Sequence, residues 1–132
     1  MLKTSKIILF IGLGIIFWFA AAMFVRLADS AVFTPANPLL IVLYVVSIPV
    51  TLALNWIASV VSRVPMQDMF EPAVIMTIIA TLLDGVAITW VTQLYGDNPS
   101  QVMLGAAWIL YGAGLGLLWA WVFAKMRRSA AA

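Results

Sequence analysis

No cysteine and no histidine occur among the 132 residues. Their absence removes disulfides, thiolate nucleophiles and imidazole bases, together with the usual zinc and copper sites and His-ligated haem. Charge is almost as scarce: seven Lys and Arg stand against five Asp and Glu, 9% of the chain, where a soluble domain carries about a quarter. The pI of about 9.3 thus reflects a handful of side chains rather than a basic stretch, and nucleic acid is not an expected partner. What is present is apolar. Hydrophobic residues make up 65% of the sequence and mean hydropathy is +1.12, the composition of a chain whose solvent is lipid.

A membrane-crossing helix needs roughly 20 apolar residues, and four segments reach that length: 7–25, 38–61, 73–94 and 102–124. Between them lie short connectors with turn chemistry: Asp29-Ser30 to Pro38 with Pro35 and Asn37, Ser62 to Pro72 with Pro65, and Gly96-Asp97-Asn98-Pro99. The spacing predicts an all-α fold, one integral membrane four-helix bundle of up-down-up-down topology that forms a single transmembrane domain over 1–132. Lys3, Lys6, Arg63, Lys125, Arg127 and Arg128 fall on one side of the four spans and only Arg26 on the other. By the positive-inside rule both termini and the middle loop are cytoplasmic. The first span resembles a signal peptide in its flanking lysines and in Ala20-Ala21-Ala22, but its 19 apolar residues exceed the 7 to 15 of a signal core. It is expected to be an uncleaved helix.

Tryptophans follow the expected interfacial belts, with Trp56, Trp119 and Trp121 toward the cytoplasmic ends and Trp90 with Tyr95 toward the outer end. Trp18 and Trp108 sit deeper, where a buried indole N–H seeks a partner. Lys125, Arg127 and Arg128 read first as topology determinants, since three charges fall short of the four to eight of a lipid-recognition cluster. Asp68 and Glu71 read as solvated residues, Glu71 suiting the start of the third helix.

Polar residues inside the spans are the candidate site. At 100° per residue Thr77, Thr81, Asp84, Ile88 and Thr92 fall within an arc of about 80°. Asp84, twelfth of the 22 residues in 73–94, is expected near the bilayer midplane. On the second span Ser47, Thr51, Asn55, Ser59 and Ser62 also form one face. Counted from the outer boundary, Thr51 is level with Thr81, Asn55 with Thr77, and Ser47 lies close to the level of Asp84. The match predicts hydrogen bonds between the second and third helices, each contributing about 0.6 kcal/mol. A carboxyl at the bilayer centre costs about 2.5 to 3.5 kcal/mol and marks a functional candidate. With no Lys or Arg inside any span, Asp84 is expected to be neutral and to donate to Ser47 or to Tyr111, which lies at nearly the same depth on the fourth helix.

Gly105, Gly112 and Gly116 line one side of the fourth span, and the last two form a small-xxx-small pair suited to close packing, most simply against Gly12, or to a dimer contact. Pro49 removes one backbone N–H and is expected to bend the second helix near Ser47.

Four runs, Asn37-Pro38-Leu39-Leu40, Ser47-Ile48-Pro49, Leu82-Leu83-Asp84-Gly85 and Gly105-Ala106-Ala107-Trp108-Ile109-Leu110-Tyr111-Gly112, resemble a family of small bacterial four-helix inner-membrane proteins known only as a domain of unknown function. The resemblance spans nearly the whole chain and implies a multi-pass protein of the bacterial inner (cytoplasmic) membrane, with no activity attached. Small multidrug transporters have a similar length and helix number, but their essential Glu lies in the first helix, and 7–25 holds no acid.

Two functions compete. A non-catalytic structural, assembly or accessory subunit, packing against itself or another membrane protein in the lipid bilayer, needs the least chemistry. The alternative is a small oligomeric proton- or cation-coupled transporter using Asp84 and the hydroxyl stripe. An intramembrane enzyme is weaker, because Asp84 with Tyr111 lacks a second acid or base, so no catalytic residue is assigned. No metal site and no cofactor is expected, although pigments, quinones and carotenoids, which bind apolar grooves without histidine, stay open.

Overall fold

The computed structural model describes residues 2–131 and consists of four long helices: α1 (Thr4–Val32), α2 (Pro38–Ser62), α3 (Phe70–Trp90) and α4 (Pro99–Ala131). All four are long and apolar enough to cross a membrane. Their limits differ from the sequence expectation mainly at the ends. α1 and α4 run further at both ends, while α3 stops at Trp90 and hands over to a single 3-10 turn, Thr92–Leu94.

Local chemistry sets these ends. In α1 the backbone breaks at Asp29 (φ 48°, ψ −147°), and the Phe33 N–H returns to the Asp29 carbonyl. Asn37 then starts α2: its Oδ1 accepts the Leu39 N–H at 3.0 Å while its Nδ2 donates to the Ala31 carbonyl at 2.9 Å, and Pro38 occupies the first turn where no N–H is needed. One side chain thus closes one helix and opens the next. α2 ends with Arg63 in the left-handed region (φ 59°, ψ 30°). Two cations complete helix ends on other elements: Lys6 donates to the Ser62 carbonyl at the end of α2, and Arg26 donates to the Gln93 carbonyl just past α3. A cation near a helix C-terminus satisfies free carbonyls and complements the dipole.

α1 packs chiefly on α3, and α2 on α4; α3 also meets α4, whereas contact between α2 and α3 is at most marginal. Gly14 permits the α1–α3 approach, since a Cβ there would stand 3.0 Å from the Met76 carbonyl oxygen. Gly105 permits α4 to approach α1, where a Cβ would lie 2.3 Å from Val25 Cγ1. The sequence reading of the glycines therefore needs correction. Gly105 is a close-packing position, but Gly12, Gly112 and Gly116 have open space where a Cβ would project, so the absence of a side chain there is not what lets a neighbouring helix approach.

Two small cores result. One gathers Ala22, Val25, Phe33, Ala87, Tyr95 and Val102; the other gathers Phe10, Leu13, Ala58, Met69 and Met76. Large apolar side chains such as Ile41, Leu82 and Leu110 remain more than 60% exposed, as expected of surfaces that lipid covers.

Candidate functional site

Asp84 lies on α3 with 8% of its surface exposed, six residues before the helix ends at Trp90. At 1.5 Å per residue that is about 9 Å from the end of α3. Its partner is Tyr95. The turn after Trp90 folds the chain back so that the fully buried Tyr95 side chain donates its O–H to Asp84 Oδ1 at 2.5 Å. Trp18 Nε1 on α1 donates in turn to the Tyr95 hydroxyl oxygen at 3.0 Å. Three elements therefore converge on one carboxyl.

Gln101 fixes the same connection from α4. Its Nε2 donates to the Val25 carbonyl at 3.0 Å and to the Tyr95 carbonyl at 3.2 Å, and the side chain is 2% exposed. Gly96 makes room for it. With φ at +148° and a Cβ that would fall 2.5 Å from Gln101 Nε2, no other residue fits this turn without displacement. Beside the network lies an open polar cleft of about 530 Å³, bordered by Arg26, Asp29, Asp97, Asn98 and Gln101.

Neither expected partner of Asp84 reaches it. Ser47 accepts from Trp108 Nε1 at 2.9 Å and donates to the Leu43 carbonyl at 2.7 Å. Tyr111 donates to the Tyr44 carbonyl at 3.3 Å, its ring 4.5 Å from that of Tyr44. The placement of Tyr95 in an interfacial belt is likewise overturned by its burial, whereas Trp90, 75% exposed, fits a belt position. Trp18 and Trp108 have both found the partners that buried indoles require.

The remaining candidates do not form one site. On α2 the polar face is real, with Ser47, Thr51, Asn55, Ser59 and Ser62 all buried, but it looks toward α4. Asn55 Nδ2 donates to the Gly116 carbonyl at 2.9 Å. Thr51 bonds within its own helix, to the Ser47 and Ile48 carbonyls. On α3 Thr81 bonds the Thr77 carbonyl at 2.7 Å, and Thr77 itself is only partly buried. The expected hydrogen bonds between α2 and α3 are absent because the two helices stand apart. Asp68, expected to be solvated, is 40% exposed at its side chain and pairs with Arg127.

Burial, and then the adjoining Asp84 carboxyl, push the Tyr95 phenol well above the usual tyrosine range. Its hydroxyl is thereby held as a donor at physiological pH. The arrangement orients and covers a single carboxyl; among the described residues no group of three or more Asp, Glu, His or Cys could hold a metal ion. Every buried side-chain nitrogen and oxygen described has a hydrogen-bond partner. Sequence reasoning missed Tyr95, Gln101 and the Trp18 contact. A phenol and an amide flanking the Gly96 to Pro99 turn, within reach of a buried acid, were the available signal. The chain matches no family model, and no curated protein or solved structure shows significant similarity to it.

Proposed function

We propose that this chain is a non-catalytic integral membrane protein, a structural, assembly or accessory subunit that packs against itself or another membrane protein in a bacterial inner membrane. Its four helices cross up-down-up-down, with both termini and the α2–α3 connection cytoplasmic. The distribution of charge supports this orientation. The contacts of Lys6 with Ser62 and of Arg127 with Asp68 gather the basic residues of both termini and the α2–α3 connection at one end, leaving Arg26 at the other.

The observation that carries the subunit reading is the covering of Asp84 by Tyr95 and Trp18. A carboxyl whose partner is itself buried and pinned acts as a clamp on the α3–α4 connection. The second reading, a proton- or cation-coupled transporter, draws on the same carboxyl and on the polar cleft beside Gln101. Purification in mild detergent, with mass determination of whatever accompanies the protein, separates the two. The subunit reading expects a stoichiometric protein companion and full assembly with Asp84→Asn. A homogeneous oligomer without a companion, whose proton-coupled flux in proteoliposomes disappears in Asp84→Asn while its helicity is kept, overturns it.

A further inference from the structure

The polar cleft of about 530 Å³ lies between the Asp29 break in α1 and the Gly96 to Gln101 turn that opens α4. Asp29 and Asp97 both border it, both are exposed, and among the described residues neither carboxylate is in an ion pair. Asp97 does not cap α4 either, since Asn98 Oδ1 accepts the Ser100 N–H at 2.9 Å. Arg26 borders the same cleft, but its guanidinium donates to the Gln93 carbonyl and pairs with neither acid. Two carboxylates against one guanidinium leave the cleft net negative, at the end of the bundle away from the basic residues that Lys6 and Arg127 help to gather.

Two exposed acids alone are solvated side chains; Gln101 makes them more. Its side chain is 2% exposed, and both Nε2 protons are spent on the Val25 and Tyr95 carbonyls. Those carbonyls also fix which way the amide points, because an oxygen turned toward them would be repelled. Oε1 is left with no donor. Every enclosed side-chain oxygen described has a partner, so Oε1 is reached from outside, and the opening that Gln101 borders is the cleft. A preoriented amide oxygen therefore faces the space that two unpaired carboxylates border. Asp29 itself has φ 48° and ψ −147°, a conformation that glycine adopts readily and other residues rarely do, yet the residue placed there brings a carboxylate to the cleft.

We propose that the cleft binds one divalent cation, Ca²⁺ fitting best, ligated by the Asp29 and Asp97 carboxylates and by Gln101 Oε1, with water completing the shell. Carboxylate, amide carbonyl and water are the oxygen donors that Ca²⁺ takes in adaptable geometry, whereas Mg²⁺ demands a near-ideal octahedron. Three protein ligands in an open cleft place the affinity at the weak end of the calcium range, about 10⁻⁴ to 10⁻³ M. The ion ties α1 to the α3–α4 connection. The site goes beyond the subunit reading and rests on neither function proposed above. It also departs from the expectation of no metal site, because an amide oxygen takes the place of a third acid.

Isothermal titration of CaCl₂ into the full chain in a mild nonionic detergent, at ionic strength held constant with KCl, tests the site. The expected result is one saturable site that Asp97→Asn weakens about tenfold or more, the scale on which groups of a metal site matter. Asp29→Gly should weaken it equally while leaving the melting temperature of the calcium-free protein unchanged or higher, since glycine suits that backbone and only the ligand is lost. Glu71→Gln removes the same charge from the start of α3 and should leave binding within about twofold, on the same tenfold scale for a true ligand. No saturation by about 10 mM, tenfold above the weakest affinity expected, overturns the proposal. So does an equal loss in Glu71→Gln, which would make the attraction diffuse. Saturable binding of ethylammonium chloride where CaCl₂ fails also overturns it, and would give the cleft to an organic ammonium group.

Discussion

α2 and α3 each carry polar side chains at near four-residue spacing, yet they use them differently. α2 spends Ser47 and Asn55 on α4, through the Trp108 indole and the Gly116 carbonyl. α3 turns Thr81 and Thr89 back on its own carbonyls and sends Asp84 outward, to a residue beyond its own end. The neighbours explain the difference. α4 presents a long-reaching N–H donor and a carbonyl left uncovered by a residue without a side chain. Over 7–25, α1 presents α3 with aliphatic and aromatic groups and only one polar atom, the Trp18 indole nitrogen. A hydroxyl in an apolar groove with no partner opposite bonds the carbonyl four residues back, so polarity alone does not join two helices.

Breaking the contact of Asp84 with Tyr95 should have the largest effect. Tyr95→Phe keeps the ring in its pocket and leaves a buried carboxyl without its donor, an expected loss of about 1–3 kcal/mol. Thermal unfolding in mild detergent, followed by far-UV circular dichroism, would measure it. Asp84→Asn, which still offers an oxygen to the phenol, should lose clearly less than Tyr95→Phe. The same pair has a pH signature. Because the folded-state pKa of Tyr95 is raised, its stabilisation is complete below the unfolded value of about 10. Above that pH the unfolded chain releases the proton first, and stability falls. The alkaline decline should be shallower in Tyr95→Phe; an identical slope in both proteins would sink the assignment.

The α2–α4 contacts come next. Asn55→Ala removes the donor to Gly116 and should cost about 0.6 to 1.7 kcal/mol in the same melt. A double-mutant cycle sharpens the comparison further. Ser47→Ala and Trp108→Phe should couple by about 0.6 kcal/mol, because the two side chains share one hydrogen bond. Ser47→Ala and Asp84→Asn should add independently. Coupling in the second cycle would restore the α2–α3 pairing that depth and spacing suggested.

That pairing shows where sequence reading stops in this molecule. The four spans and the buried face of α2 were legible, because each is a local property of composition and period. Which helix α2 faces was not: Thr51 and Thr81 share a depth, but equal depth says nothing about lateral order, and α2 and α3, though consecutive, stand apart. Asp84 was legible as the one buried acid. Tyr95 was not recognised as its partner because it lies past the end of α3, and only the fold-back through Thr92–Leu94 brings it inward. Gly105 and Gly112 looked alike in a seven-residue repeat, but only Gly105 meets the side chain of Val25.

The smallest effect is expected at Thr81, where the test is sharpest because almost nothing should happen. Its hydroxyl bonds the Thr77 carbonyl at 2.7 Å and the Ile78 carbonyl at 3.2 Å, both already acceptors within α3. Thr81→Val keeps the branched shape and removes only this back-bond, so stability should move by less than about 0.5 kcal/mol, the scale of substitutions away from special features. A loss equal to that of Asn55→Ala would mean that the α3 stripe does reach another helix. It would move Thr81 from a side chain satisfied by its own backbone to part of an assembled polar path, and with it weight from the subunit reading to the transporter.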